Sequence, residues 1–295
     1  MKQNTTYVNE FIDIDSISIE KVLYALYFAA IQHQCSIAIW KLPHSNTQYA
    51  IIDLSEPSAK TPGISETNKI NKAKIELEDH QPGFAFSPFH NLDGKSTLFV
   101  KADILFHCDK NPISENLNDH NLYSLQVRTT NKLLRKSQFL KTFENFLINN
   151  QPISLKWISQ KSNFVVQGHT RDPGLQNDKD FYYSLVKKAI REIAAGNFKK
   201  LVLSRTKTID IPEDFEVVDT FEKLSGTYPN SFKTLISIPG TGTWIGASPE
   251  ILLSIDKGCM FRTVAMAGTQ PVPTVPVSVQ ASEDLFQAWM HKTAT

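Results

Sequence analysis

The sequence predicts an α/β protein of the α+β kind, with large, mostly antiparallel sheets packed together and flanked by helices. Two observations predict it. Over residues 232–266, short apolar runs of strand length follow one another, punctuated by Gly240, Gly242, Gly246 and Gly258. That spacing suits an antiparallel meander, because parallel strands need long crossovers between them. Elsewhere apolar residues recur at helical period beside runs that alternate with period two.

Taken in order, Ser18 is a helix N-cap, and Ile19, Leu23, Leu26 and Ala30 then recur on one face. Ser36 to Trp40 and Tyr49 to Leu54 read as strands joined by the turn Pro43 to Asn46. Residues 55–80 are polar, with Pro57 and Pro62, and read as a loop. Phe84, Phe86 and Phe89 form an aromatic cluster, and Thr97 to Leu105 reads as one strand. Residues 109–130 are rich in Asn, Asp and Ser and read as loop. Leu134, Phe139, Phe143 and Leu147 predict a helix over 131–149, and Phe164 to Gln167 a strand. Residues 168–177, with two glycines and a proline, read as a domain boundary.

The second half is more regular. A helix capped at Asn177 or Asp178 is expected to bury Tyr182, Leu185, Val186, Ala189 and Ile193, with Gly196 as its left-handed C-terminal stop. Lys200 to Lys207 reads as a strand and Val218 to Leu224 as a short helix. Phe232 to Ile238, Thr243 to Ala247, Ile251 to Ile255 and Met260 to Met266 read as strands.

Composition narrows the function classes. The 295 residues are 41% hydrophobic and 21% charged, with a net charge of +1. These are values of an ordinary globular chain, and they argue against a dedicated nucleic-acid binder, which carries a basic stripe. Cys35, Cys108 and Cys259 lie far apart with no C-x-x-C spacing, which argues against a disulfide framework and fits a reducing compartment. No apolar leader and no run of membrane-spanning length is visible, so the expectation is a cytoplasmic chain with no membrane partner. The eight histidines show no metal-ligand spacing, and no phosphate-binding glycine loop is present. Ser248 does not sit in a G-x-S-x-G elbow.

Three segments can carry chemistry. In KLVLSR, strand alternation puts Lys200, Val202 and Ser204 on one face. If that face lines a pocket, burial lowers the lysine pKa, and bringing it from about 10.4 to about 7 takes roughly 4 kcal/mol. Such a lysine serves as a general base. Taken alone, Lys199 and Lys200 read as readily as solvated residues at a strand start. Gly246-Ala247-Ser248-Pro249-Glu250 ends in a carboxylate on a tight backbone, which suits a general acid, although alone it also reads as a surface hairpin. Ala267-Gly268-Thr269 offers a bare backbone N–H and a hydroxyl suited to a carboxylate, or else a plain turn.

In this order and spacing, the segments DKDFYYSLVKKAIREIAAGNFKKLVLSR, YPNSFKTLISIPGTGTWIGASPEILL and TVAMAGTQP resemble the chorismate-utilising enzymes, the family of anthranilate synthase component I. Within that family they resemble isochorismate synthase in particular. The resemblance is carried by residues 178–270. It implies the chorismate-binding fold, a variable N-terminal α/β region over 1–170, and the N-terminal part of a catalytic domain over 176–295. It implies Lys200 as the base that activates water, Glu250 as the general acid, and Ala267, Gly268 and Thr269 as contacts of a substrate carboxylate. Branches that use ammonia usually carry another residue where Lys200 stands. The resemblance also implies Mg²⁺ as cofactor, with ligands expected beyond Thr295. Trp289 and Lys292 resemble the residues just before the first metal-binding helix. The sequence is therefore expected to be a C-terminally truncated chain that is inactive by itself. The complete enzyme is expected to be a monomer, and exposed apolar surface opens the fragment to association. A salicylate synthase with isochorismate pyruvate-lyase activity, and a non-catalytic chorismate-binding-like fragment, are the alternatives.

Overall fold

The structure is a computed structural model that describes residues 7–9, 17–55, 82–87, 97–109, 122–128, 133–149, 178–203, 209–212, 215–250, 253–255, 258 and 260–263. It divides into two compact units, Met1–Ala247 and Ser248–Thr295.

The first unit is built on a seven-stranded sheet. Its strands are β1 (Tyr7–Asn9), β2 (Ser36–Lys41), β3 (Thr47–Asp53), β6 (Ile104–Asp109), β7 (Leu122–Arg128), β8 (Phe232–Ile238) and β9 (Gly242–Ser248), in the order β1-β7-β6-β3-β2-β8-β9. The pairs β1–β7, β7–β6, β6–β3, β3–β2 and β2–β8 are antiparallel. β8 and β9 are joined across residues 239–241, a span that only an antiparallel hairpin allows. Gly240 and Gly242 there take φ of 75° and 101°, and Thr241 N–H donates to Ile238 O at 2.9 Å. β8 pairs with β2, so the sheet draws strands from both sides of the stretch 168–177.

Period-two alternation sends side chains to two different cores. Ile37, Ile39, Ala50, Ile52, Ile104, Phe106, Cys108 and Leu235 face the helices α1 (Ile19–Gln32), α2 (Leu133–Asn149) and α4 (Val217–Thr227). α1 supplies Val22, Leu23, Leu26 and Ala30, all with no exposure. α2 adds Phe139 and Phe143, and α4 adds Val218 and Phe221. On the opposite face Ala38, Ile51, Ile236 and Ile238 meet a two-stranded sheet, β4 (Gly83–Phe86) and β5 (Leu98–Lys101). Trp40 stacks there on Tyr49 at 5.3 Å and meets Phe84 at 5.6 Å.

Several expectations hold in detail. Ser18 caps α1, its hydroxyl accepting from Lys21 N–H at 3.3 Å. Gly196 takes φ of 78° and ends α3 (Asp178–Ala194). Its N–H donates to Ile193 O at 3.0 Å, and Asn197 N–H donates to Glu192 O at 3.0 Å, the paired bonds of a Schellman stop. α4 extends beyond the expected 218–224 at both ends. Its N-cap Glu216 makes no side-chain capping bond; instead Tyr24 of α1 accepts from Asp219 N–H at 3.1 Å.

Four expectations are corrected. The single strand expected over 97–105 is two strands, β5 and β6, broken at Ala102 and Asp103 and placed in different sheets. Residues 122–128, expected as loop, form β7, whose Leu125 and Val127 are buried between Ser124, Gln126 and Arg128. α3 buries Ala189 but leaves Ile193 38% exposed, and Tyr183 and Ile190 lie open. Leu201 to Leu203 carry no regular structure where a strand was expected. The expected loop over 55–80, the strand at 164–167 and the boundary at 168–177 lie wholly or mostly outside the described residues.

The second unit contains β10 (Leu253–Ile255) paired antiparallel with β11 (Phe261–Thr263), Ser254 opposite Arg262. Both are shorter than the runs expected at 251–255 and 260–266.

The break at Asp103 is held by hydrogen bonds to buried groups. Asp103 is 2% exposed, and one of its carboxylate oxygens accepts from Leu54 N–H at 3.0 Å. Removing that carboxylate strands a buried donor, so Asp103→Ala is expected to lower stability by about 1–3 kcal/mol in urea denaturation. Gly83 lies against β5: a Cβ added there would stand 2.6 Å from Val100 O and 2.3 Å from Phe99 Cζ. Gly83→Ala is expected to lose about 1–3 kcal/mol in the same measurement, because the backbone oxygen cannot give way.

Candidate active site

Lys200 follows the Schellman stop of α3 by four residues. Its side chain is exposed, as are those of Lys199, Leu201 and Val202. The face of Lys200, Val202 and Ser204 therefore does not line a pocket: the segment is irregular through Leu203, and Ser204 lies outside the described residues.

Glu250 stands two residues past β9. Its side chain is exposed, and its backbone is fixed from Ser248. Glu250 N–H donates to Ser248 Oγ at 3.3 Å, and Ser248 Oγ donates to Glu250 O at 3.2 Å. With Pro249 between them, whose ring restricts φ, this makes a short closed turn. Neither bond was anticipated from the sequence, where only the glycine and proline stood out; a serine two residues before the glutamate was the available signal.

Lys200 falls in the first unit and Glu250 in the second. Ala267, Gly268 and Thr269 lie outside the described residues. Among the described residues no group of three or more His, Cys, Asp and Glu side chains is arranged to hold a metal ion. No residue here is assigned to the Mg²⁺ that the resemblance implies.

β9, the strand leading to Glu250, is anchored by hydroxyl groups. Thr243 Oγ1 lies 2.8 Å from Ser237 Oγ on β8 and 3.3 Å from the hydroxyl of Tyr27 on α1. Tyr27 is 1% exposed, and burial holds its phenol above the ordinary range. Trp244, on the other face, packs against Phe86 at 5.6 Å and keeps about half of its surface open.

The other perturbed groups are structural. Burial, reinforced by the charge of Glu216, pushes Tyr24 up to about 12. Burial and then the nearby Arg135 lower His33, whose Nε2 lies 2.8 Å from Thr142 Oγ1. Lys233 is 1% exposed, on the helix-facing side of β8, and its Nζ donates to Pro229 O at 3.0 Å beside the C-terminal end of α4. Burial, then the charge of Lys41 in the paired register position, lowers its pKa. Gln48, paired with Lys41 on the next strand, donates to Glu222 at 2.7 Å.

Residues 115–286 match the family model described as chorismate binding enzyme. An 86-residue stretch is 36% identical to the anthranilate synthase component 1 of Streptomyces coelicolor, covering 29% of this chain and 16% of that relative. The chain thus matches only a small part of the relative's length. No solved structure matches.

Lys233 makes stability depend on pH in a defined direction. Its folded pKa is below the ordinary 10.5, so between the two values the unfolded chain binds the proton and the folded chain does not. Stability from this residue therefore rises with pH until both forms are deprotonated. In urea denaturation as pH rises toward 10.5, the wild type is expected to gain stability relative to Lys233→Met. Parallel pH curves for the two proteins would remove the assignment.

Proposed function

Because the chain belongs to the chorismate-binding enzyme family, we propose that it is the proton-transfer part of an isochorismate synthase, an isomerase that converts chorismate to isochorismate. The observation that carries the reading is a lysine at position 200, inside the matched stretch, followed by the turn that ends in Glu250. Branches of the family that deliver ammonia usually have another residue at the lysine position.

In this reading Lys200 takes a proton from the water that attacks C2 of chorismate. The ring double bonds shift, and Glu250 gives a proton to the hydroxyl leaving from C4. Atoms balance: one water enters and one leaves. A lysine acts as base only when its ammonium is disfavoured. Lys200 is exposed here, so the reading requires substrate to cover it. The closed turn at Ser248 limits the backbone freedom of Glu250, which lowers the entropy lost in presenting its carboxyl. Ala267, Gly268 and Thr269 complete the proposal as contacts for a substrate carboxylate. Mg²⁺ would neutralise such a carboxylate, and no step is assigned to it.

The test supplies chorismate and Mg²⁺ to a longer polypeptide that contains this chain, and separates the products. Isochorismate is the expected product, with Lys200→Ala and Glu250→Gln each reducing the rate by about 10²–10⁴-fold, as loss of a general base or acid does. Full activity of Lys200→Ala would remove the base assignment. Salicylate and pyruvate as products would move the chain to the synthase–lyase branch. Binding without turnover in the longer polypeptide would favour a non-catalytic module.

A further inference from the structure

The turn at the end of β9 assigns a role to a residue outside the proton-transfer pair. We propose that Ser248 is a positioning residue for Glu250, an inference that rests on the general-acid reading above. The geometry carries it. One hydroxyl serves both backbone groups of the same residue, accepting from Glu250 N–H at 3.3 Å and donating to Glu250 O at 3.2 Å. Both groups belong to the residue whose carboxyl must be aimed, and the hydroxyl does not touch that carboxyl.

Physical chemistry explains why such a tie is needed. Glu250 is exposed. An exposed glutamate after a strand end samples many backbone directions. Pro249 removes one torsion by fixing its own φ. The Ser248 hydroxyl removes more by closing the loop on both sides of Glu250 Cα. The side-chain torsions then start from a restricted Cα–Cβ vector. Ser248 is itself the last residue of β9. Alanine keeps the strand and the proline but removes both bonds. Threonine keeps the hydroxyl and suits a strand end.

A hydrogen bond of this kind contributes about 0.5–1.5 kcal/mol, which corresponds to roughly 2- to 12-fold in a rate or an opening equilibrium. Amide exchange of Glu250, followed by NMR on the 295-residue chain, reads the restraint directly. Exchange is expected to accelerate by about 2- to 12-fold in Ser248→Ala and to return to the wild-type rate in Ser248→Thr. An unchanged rate in Ser248→Ala overturns the proposal, whatever the protein does with chorismate. In a polypeptide that turns over chorismate, Ser248→Ala is expected to lower kcat by a similar factor with KM unchanged, and Ser248→Thr to restore it. If Ser248→Thr is as slow as Ser248→Ala, the hydroxyl is not the cause and the proposal fails. Glu250→Gln separates the two claims. A fully active Glu250→Gln overturns the general-acid reading, whereas an inactive Glu250→Gln beside an undiminished Ser248→Ala overturns only the positioning role.

Discussion

The first unit depends on two buried aspartates at the ends of neighbouring strands. Asp53 closes β3 and Asp103 opens β6, exposed by 1% and 2%. Asp53 accepts from Ser55 N–H at 2.8 Å and from Lys101 N–H at 3.2 Å. Asp103 accepts from Leu54 N–H through its carboxylate, and its backbone oxygen accepts from Arg128 N–H at 2.9 Å. Arg128 approaches the other carboxylate oxygen at 4.0 Å. Buried carboxylates persist only when paired or hydrogen-bonded, and here backbone N–H groups supply such bonds to both. The result is a knot that joins the end of β3, the end of β7 and the last residue of β5.

That knot decides the layering. The chain from Leu98 to Asp109 contains enough apolar residues for one long strand, and a long strand would keep both halves in one sheet. The bend at Ala102 and Asp103 turns the first half away to pair with β4, while the second half enters the main sheet between β3 and β7. Ala102 N–H donates to Pro82 O at 3.0 Å, which brings the start of β4 to the same place. The small sheet then covers Ala38, Ile51, Ile236 and Ile238, which would otherwise face water. One face of the main sheet is thus closed by helices and the other by a folded-back piece of its own chain.

The other edge of the main sheet is held by hydroxyl groups. β8 and β9 form the last two strands, and β9 is tied back to α1 through Thr243 and Tyr27. The first helix therefore helps place β9, a link over more than two hundred residues of sequence that no local pattern announces. The motif KLVLSR was legible as a lysine beside apolar residues, but its conformation was not. Leu201 and Val202 are open to solvent, and a strand forms only where neighbours complete its hydrogen bonds. The same reason explains α3. Its apolar face was legible, yet periodicity names a face and not the surface that covers it.

What the sequence by itself determined was local. Ser18 as a cap, Gly196 as a left-handed stop, the 239–241 turn and the helical rows of α1 and α2 follow from side-chain hydrogen bonding, glycine torsions and apolar period. All of these act within a few residues. Tertiary structure alone decided the break at Asp103, the strand at 122–128, and the pairing of β8 with β2. Each depends on hydrogen-bond partners far away in the chain, and a buried carboxylate, an alternating run in polar company or an edge strand has no meaning until those partners arrive. The Ser248 turn lies between the two. Its residues are adjacent in sequence, so their proximity was legible, but the closing of one hydroxyl on both backbone groups of Glu250 is visible only in the folded turn.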